Sequence, residues 1–191
     1  MDPAKLTPTP TRDELVARAA ALVPALRERA DQTERDRHIP NETIEDIRAA
    51  GLWRILQPPR HGGIITDFGV MVDVVAEFAR GCASTSWVYM NIIAHNWMLP
   101  MWPIRAAEDV WGEDPKALIG SSLIFTCGEL RRVKDGYQMT GRWPYCSGID
   151  NSDWMMFGAM EPVADHDGGA AARMVVVRAA DLEIIDTWHV S

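Results

Sequence analysis

His95 stands in "SWVYMNIIAHNWML", a run of helical texture that is apolar on most faces. An imidazole there has two readings. It is a buried side chain satisfied by a backbone carbonyl, or it is a proton-transfer group in a dry pocket, where a neutral ring can take the proton of a phenol-like substrate. Asn91 and Asn96 flank it and read as polar groups on the helix surface. Further along, "GRWPYCSG" (141–148) mixes two aromatics, a proline, a thiol and a hydroxyl between glycines. Ser147 is a turn residue bonding its own backbone, or a hydroxyl aimed at a bound ring, with Gly148 letting the backbone approach closely. Trp143 and Tyr145 are packing aromatics or the walls of a flat ligand. Pro144 forces the segment to an edge or a bulge, which suits a pocket wall. Of the eight tryptophans, several fall between Trp87 and Trp111. They build either a tryptophan-rich core or a wide aromatic cavity for a large flat ligand.

Other chemistries are poorly supplied. The three cysteines have no paired spacing, so no disulfide framework is expected. Cys146 has no adjacent histidine and reads as a small filler rather than a nucleophile. The five histidines are scattered and announce no metal site. "GGIITDFG" lacks the strand–glycine–helix context of a dinucleotide loop. Arg131 and Arg132 belong to a solvated strand face or reach a phosphate, and Ser121 and Ser122 are polar lining or simple strand residues. With 19 basic and 27 acidic side chains the net charge is −8, which disfavours general nucleic-acid binding. The first residues carry no apolar signal core and no run is long enough to span a membrane, so a soluble, cytoplasmic protein is expected.

These residues must be held by about five helices followed by about six strands. Residues 1–10 are rich in proline and threonine and read as disordered or extended. Thr11 and Glu14 make a capping-box start, and Leu15, Ala19, Leu22, Val23, Leu26 and Ala30 recur at helical spacing. Pro24 is expected to kink or interrupt that helix. A short helix follows Pro40 and ends at Gly51. Asp67 caps a third helix, "FGVMVDVVAEFAR", which is apolar nearly all round and therefore expected to be buried. The His95 helix starts at Ser84 or Thr85, and a short one follows Pro103. From about residue 117 the texture turns strand-like: "ALIGSSLIF", "ELRRV", "YQMTGRW", "DWMMFGAM", "RMVVVR" and "LEIIDTW". "KDGY" is a hairpin turn, and "ADHDGGAA" an exposed loop. The order implies an α+β fold. Because "LEIIDTWHVS" stops within a strand-like run, the chain reads as a fragment.

Taken together, "IPNETIEDIRAAGLWRILQPPRHGG", "GCASTSWVYMNIIAHNWML", "VWGEDP" and "VKDGYQMTGRWPYCSGIDNSDW" resemble the acyl-CoA dehydrogenase fold. Within it the likeness is to the oxygenase components of two-component aromatic hydroxylases, the p-hydroxyphenylacetate and seco-steroid phenol hydroxylases among them. It covers roughly residues 11–191. The resemblance implies an N-terminal α-helical domain (11–115) and a middle β-barrel-like domain (116–191), with the family's C-terminal four-helix bundle missing. It implies that a partner reductase delivers reduced FMN or FAD, that oxygen adds to form a flavin hydroperoxide, and that a phenolic or polycyclic aromatic is hydroxylated. It places Ser147 on the central ring of the flavin and His95 on the substrate phenol. Trp143 and Tyr145 flank the flavin with Gly148 near it, Ser122 sits close to the flavin or to the substrate, and Trp87 and Asn91 line the substrate pocket; in "LIFTCGEL", where the chain departs from the family pattern, Phe125 is expected to reshape that pocket. A homo-oligomer, tetrameric in the complete fold, goes with it. The "TEPxxGSD"-like loop of the dehydrogenases is absent, which argues against a CoA thioester. Two other readings stay open: a flavin dehydrogenase of the same fold, and a non-catalytic half-chain acting in binding or assembly, for which exposed apolar surface is expected.

Overall fold

The computed structural model describes residues 9–64, 66–163 and 169–189. Most of the proline- and threonine-rich start and most of the "ADHDGGAA" loop lie outside the described residues. Six α-helices come first: α1 (Arg12–Glu28), α2 (Ala30–Asp36), α3 (Asn41–Ala49), α4 (Phe68–Ala79), α5 (Ala83–Met98) and α6 (Ile104–Trp111). Five strands follow: β1 (Ile119–Ser122), β2 (Gly128–Val133), β3 (Gly136–Gly141), β4 (Trp154–Pro162) and β5 (Ala170–Arg178).

The capping box forms at the start of α1. The Thr11 hydroxyl accepts from the Glu14 N–H at 3.2 Å, and the Glu14 carboxylate accepts from the Thr11 N–H at 2.8 Å. Leu15, Ala19, Val23 and Leu26 bury the apolar stripe. Pro24 does not interrupt the helix. It lies on the exposed side, where water replaces the hydrogen bond that proline cannot donate. The break falls instead at Arg29, between α1 and α2.

α4 also departs from expectation. Val70, Met71, Val74 and Phe78 are buried, but Phe68 and Val72 are exposed at 42% and 54%. Ala76 and Ala79 continue that exposed line at helical spacing. The apolar content serves two faces, and the described residues cover only one.

α5 is the pillar of the fold. On one side it packs on α4, with the Ser86 hydroxyl donating to the Val75 carbonyl. Tyr89 donates to the Leu52 carbonyl, and the Asn96 amide donates to the carbonyls of Trp53 and Ile55. These bonds satisfy the irregular "LWRILQPP" backbone, which has too few partners of its own. Asn96 is therefore buried structure, not a helix-surface group as its polarity suggested.

β4 organises the sheet. It pairs in parallel with β1 from Ile119↔Trp154 to Ser122↔Phe157 and antiparallel with the whole of β5. Near its end it meets β2 in parallel, at Glu129↔Met160. β2 and β3 form the hairpin turned by Lys134 and Asp135. Two neighbouring residues at the start of β1 point to different cores: Leu118, just before the strand, belongs to the core of the helices, and Ile119, its first residue, to a second core with Leu99, Val110, Trp111 and Met156. The sixth expected strand, "LEIIDTW", does not form. Its backbone is held instead by Arg37, whose guanidinium donates to both carboxylate oxygens of Asp186 (2.8 and 2.5 Å) and to the Trp188 carbonyl (2.9 Å). Strand-forming residues make a strand only where an edge offers them a partner.

Candidate active site

α5 carries Trp87, Asn91 and His95 at intervals of four residues, so they share one face. Trp87 and His95 are about 12 Å apart along the helix axis. Asn91 lies between them, and its amide donates to the Trp87 carbonyl at 2.8 Å.

His95 is 3% exposed. Its Nδ1 lies 2.8 Å from the carbonyl oxygen of Ile119, at the start of β1. A carbonyl only accepts, so Nδ1 carries a proton. Burial pulls the imidazole pKa down to about 4, against a smaller upward pull from the Ile119 carbonyl. At neutral pH the ring is thus uncharged and Nε2 holds the lone pair. Nε2 makes no hydrogen bond among the described residues. The two readings of His95 are not exclusive: the backbone bond that satisfies one nitrogen fixes the tautomer that frees the other.

The "GRWPYCSG" segment leaves the end of β3 as a tight loop. Tyr145 and Gly148 both have positive φ, +58° and +82°. A Cβ on Gly148 would come 3.0 Å from Val88 Cγ1 and 3.3 Å from Ile92 Cδ1, so the loop is seated against α5. From the other side the buried Ser122 hydroxyl donates to the Pro144 carbonyl at 2.8 Å. Ser147 is held at Trp87, whose indole N–H donates to the Ser147 oxygen at 3.0 Å. The backbone N–H groups of Tyr145, Cys146, Ser147 and Gly148 make no hydrogen bond among the described residues. These four unpaired donors are invisible in the residue types, because they belong to the backbone of the loop rather than to side chains. Burial raises the Cys146 thiol, in keeping with an inert filler.

The two aromatics of the segment part company. Tyr145 is 74% exposed, with the Trp188 ring edge-on at 6.5 Å. Trp143 is stacked on Phe157, 4.4 Å between ring centres, and its indole N–H donates to the Gly158 carbonyl. A Cβ at Gly128 or Gly141 would run into the Trp143 ring, so both glycines make room for it. Phe125 lies over Gly158 of β4, where a Cβ would be 2.9 Å from the phenyl ring. Gly158 is four residues along β4 from Trp154, the partner of Ile119. Phe125 is therefore about 13 Å along the sheet from the strand position that receives His95. The structure brings Trp87, Ser147, Gly148 and Ser122 around one loop, sets Asn91 and His95 one and two turns further down the same helix face, and seats Phe125 on Gly158, whose carbonyl takes the Trp143 indole N–H. Among the described residues no group of three or more potential metal ligands occurs, and no helix is long and apolar enough to cross a membrane.

Residues 9–107 match the family model "Acyl-CoA dehydrogenase, N-terminal domain". The chain is 35% identical over 182 residues to the FADH(2)-dependent resorcinol hydroxylase, oxygenase component, of a Rhizobium species, covering 92% of this chain and 42% of that protein. It is 36% identical over 173 residues to the flavin-dependent monooxygenase, oxygenase subunit HsaA, of Rhodococcus jostii, covering 91% and 44%. The crystal structure of the HsaA monooxygenase from M. tuberculosis superposes with a TM-score of 0.88 at 32% identity, over 95% of this chain and 49% of that one. That of XiaF from Streptomyces in complex with FADH2 and glycerol gives 0.86 at 33% identity, over 94% and 45%. The chain thus spans less than half the length of these relatives. It belongs to the acyl-CoA dehydrogenase N-terminal domain family, and its relatives within that family are oxygenase components of flavin-dependent hydroxylases.

Proposed function

We propose that this chain is the helical and sheet part of the oxygenase component of a two-component flavin monooxygenase that hydroxylates a phenolic or polycyclic aromatic substrate. The observation that carries the reading is the neutral His95 with its lone pair on Nε2, on the same helix face that seats Ser147. A flavin fits the loop chemically. Its carbonyl-bearing ring edge needs hydrogen-bond donors, and four backbone N–H groups stand unpaired there. Its central ring nitrogen needs a small polar partner, and the Ser147 hydroxyl keeps its proton and one lone pair after accepting from Trp87. Tyr145 offers exposed aromatic surface beside it.

Reduced flavin, FMN or FAD, supplied by a partner reductase, together with oxygen provides the electrophilic oxygen. The chain's own residues do the rest. A phenol O–H placed on His95 Nε2 donates to it, which moves electron density onto the phenol oxygen and from there to the ring carbons that must attack. At a pKa of about 4 the imidazole works first as a hydrogen-bond acceptor. Full proton transfer becomes favourable as the ring carbon attacks, because electron density drawn from the phenol oxygen makes its O–H more acidic. Ser122, through Pro144, and Gly148, through α5, keep the loop in place while water is excluded from the ring faces.

The exposed apolar line of α4, continued by Trp97 at 46% and Met101 at 61% exposure, supports association with further protein surface, in line with a homo-oligomer. The test is an anaerobic titration with reduced FMN, reduced FAD and their oxidised forms. It is followed by oxygen and a panel of phenols, with hydroxylated product measured. Tighter binding of reduced flavin and product from a phenol but not from its methyl ether are expected. Equal binding of both oxidation states with no product overturns the reading.

A further inference from the structure

We infer that Trp87 is a positioning residue for Ser147, and that Asn91, Trp87 and Ser147 form one donor array that fixes how the serine hydroxyl meets its ligand. This rests on the flavin reading of the loop. It departs from the sequence expectation, which put Trp87 and Asn91 on the substrate.

Three observations carry it. The Trp87 indole N–H donates to the Ser147 oxygen at 3.0 Å across sixty residues of sequence. An indole nitrogen is a donor and nothing else, so the polarity of this bond cannot reverse. With this bond made, Ser147 spends one lone pair on Trp87 and its own proton is available to a ligand. One turn further on, the Asn91 amide donates to the Trp87 carbonyl at 2.8 Å, bracing the turn of α5 from which the indole projects. Trp87 is itself 57% exposed. A tryptophan placed for core packing would be covered, whereas this one spends its only polar atom on Ser147.

An unbraced serine hydroxyl samples three rotamers and swings its proton freely. With Trp87 in place only one orientation keeps the indole bond. The hydroxyl then faces a ring nitrogen with one lone pair for an N–H, or with its proton for a bare nitrogen. Donation from Trp87 also polarises the Ser147 O–H and makes it a better donor. The array acts on the ligand only through Ser147.

The test is a double-mutant cycle in the full chain with Trp87→Phe, Ser147→Ala and the pair. Phenylalanine keeps one aromatic ring but removes the indole N–H and part of the indole surface, and the comparison with the Ser147→Ala background separates the two losses. In the flavin-free chain, one tryptophan Nε1–H resonance, identified by its loss in Trp87→Phe, should shift and exchange faster with solvent in Ser147→Ala. Flavin affinity is then read by difference absorbance. Trp87→Phe should weaken binding about 3- to 10-fold in the Ser147 background and have no further effect once Ser147 is alanine. Penalties that add, or an indole resonance indifferent to Ser147→Ala, overturn the assignment and leave the flavin reading standing. Failure of the unsubstituted chain to bind flavin in either oxidation state overturns the reading itself and the assignment with it.

Discussion

Removing the titrating ring of His95 tests the site's central claim without any ligand. In the folded chain the imidazole pKa is lowered from 6.5 to about 4 because the ring is buried. The unfolded chain binds the proton near 6.5, and the folded chain resists it. Stability from this group is therefore complete above about pH 6.5 and is lost as pH falls toward 4. The full difference is worth roughly 3 kcal/mol at about 1.4 kcal/mol per unit. At pH 5 about 2 kcal/mol of it has been lost. His95→Asn is the right perturbation, because the asparagine amide stands where Nδ1 does and can still donate to the Ile119 carbonyl. Urea unfolding of both proteins at pH 7.5, 6.5, 5.5 and 5.0 is the assay. Carboxylates and the other histidines titrate in both, so the difference between the two curves isolates His95. The parent should lose about 2 kcal/mol more than the variant between pH 7.5 and 5.0. Parallel curves would falsify the buried, neutral imidazole, and the lone pair on Nε2 would go with it.

Gly148→Ala should cost about 1–2 kcal/mol, since alanine disfavours the +82° φ and its methyl would press on Val88 and Ile92. The urea midpoint and flavin affinity should fall together, and a neutral substitution would mean the loop is not seated on α5. Asn96→Ala should cost about 2–4 kcal/mol by stranding the carbonyls of Trp53 and Ile55 in a dry core, with no change in flavin affinity beyond what partial unfolding explains. Ser122→Ala frees the Pro144 carbonyl and should cost about 1 kcal/mol. Faster amide exchange confined to residues 143–148 is the signature, and exchange spread over the whole sheet would contradict it. The Arg37 guanidinium holds the Asp186 carboxyl below its usual 3.8, so that contact persists above the unfolded value and loosens as pH falls below about 4. Arg37→Gln should release the segment at neutral pH, read as greater solvent quenching of Trp188 emission. Unchanged quenching would show that another contact holds it.

Much of this was legible in the residue order because it is local. Thr11 and Glu14 start α1, Asp67 starts α4, Lys134–Asp135 turns a hairpin, and stripes at spacings of 3.6 and 2 separate helices from strands. Each depends on neighbours a few residues away. His95 and Ser147 also stood out as candidates, since a histidine in an apolar helix and a serine before glycine in an aromatic loop are unusual wherever they pack.

Elsewhere the outcome depended on long-range partners. Pro24 was tolerated because its side of α1 faces water. "LEIIDTW" had the residues of a strand and no edge to join. α4 is apolar on two faces, and its sequence could not tell which one is covered. Asn96 looked like a surface group until the carbonyls of Trp53 and Ile55 came to lie against it. So the sequence by itself determined most helices and strands, through local caps, turns and periodicity, and which side chains are chemically able. Only the tertiary structure decided that β1 presents the Ile119 carbonyl to His95, that α5 hands the Trp87 indole to Ser147, and that four backbone donors of the loop stand unpaired. The physical reason is that hydrogen-bond direction and burial, which set tautomers and pKa values, arise from groups far apart in the chain and have no counterpart in residue type or spacing.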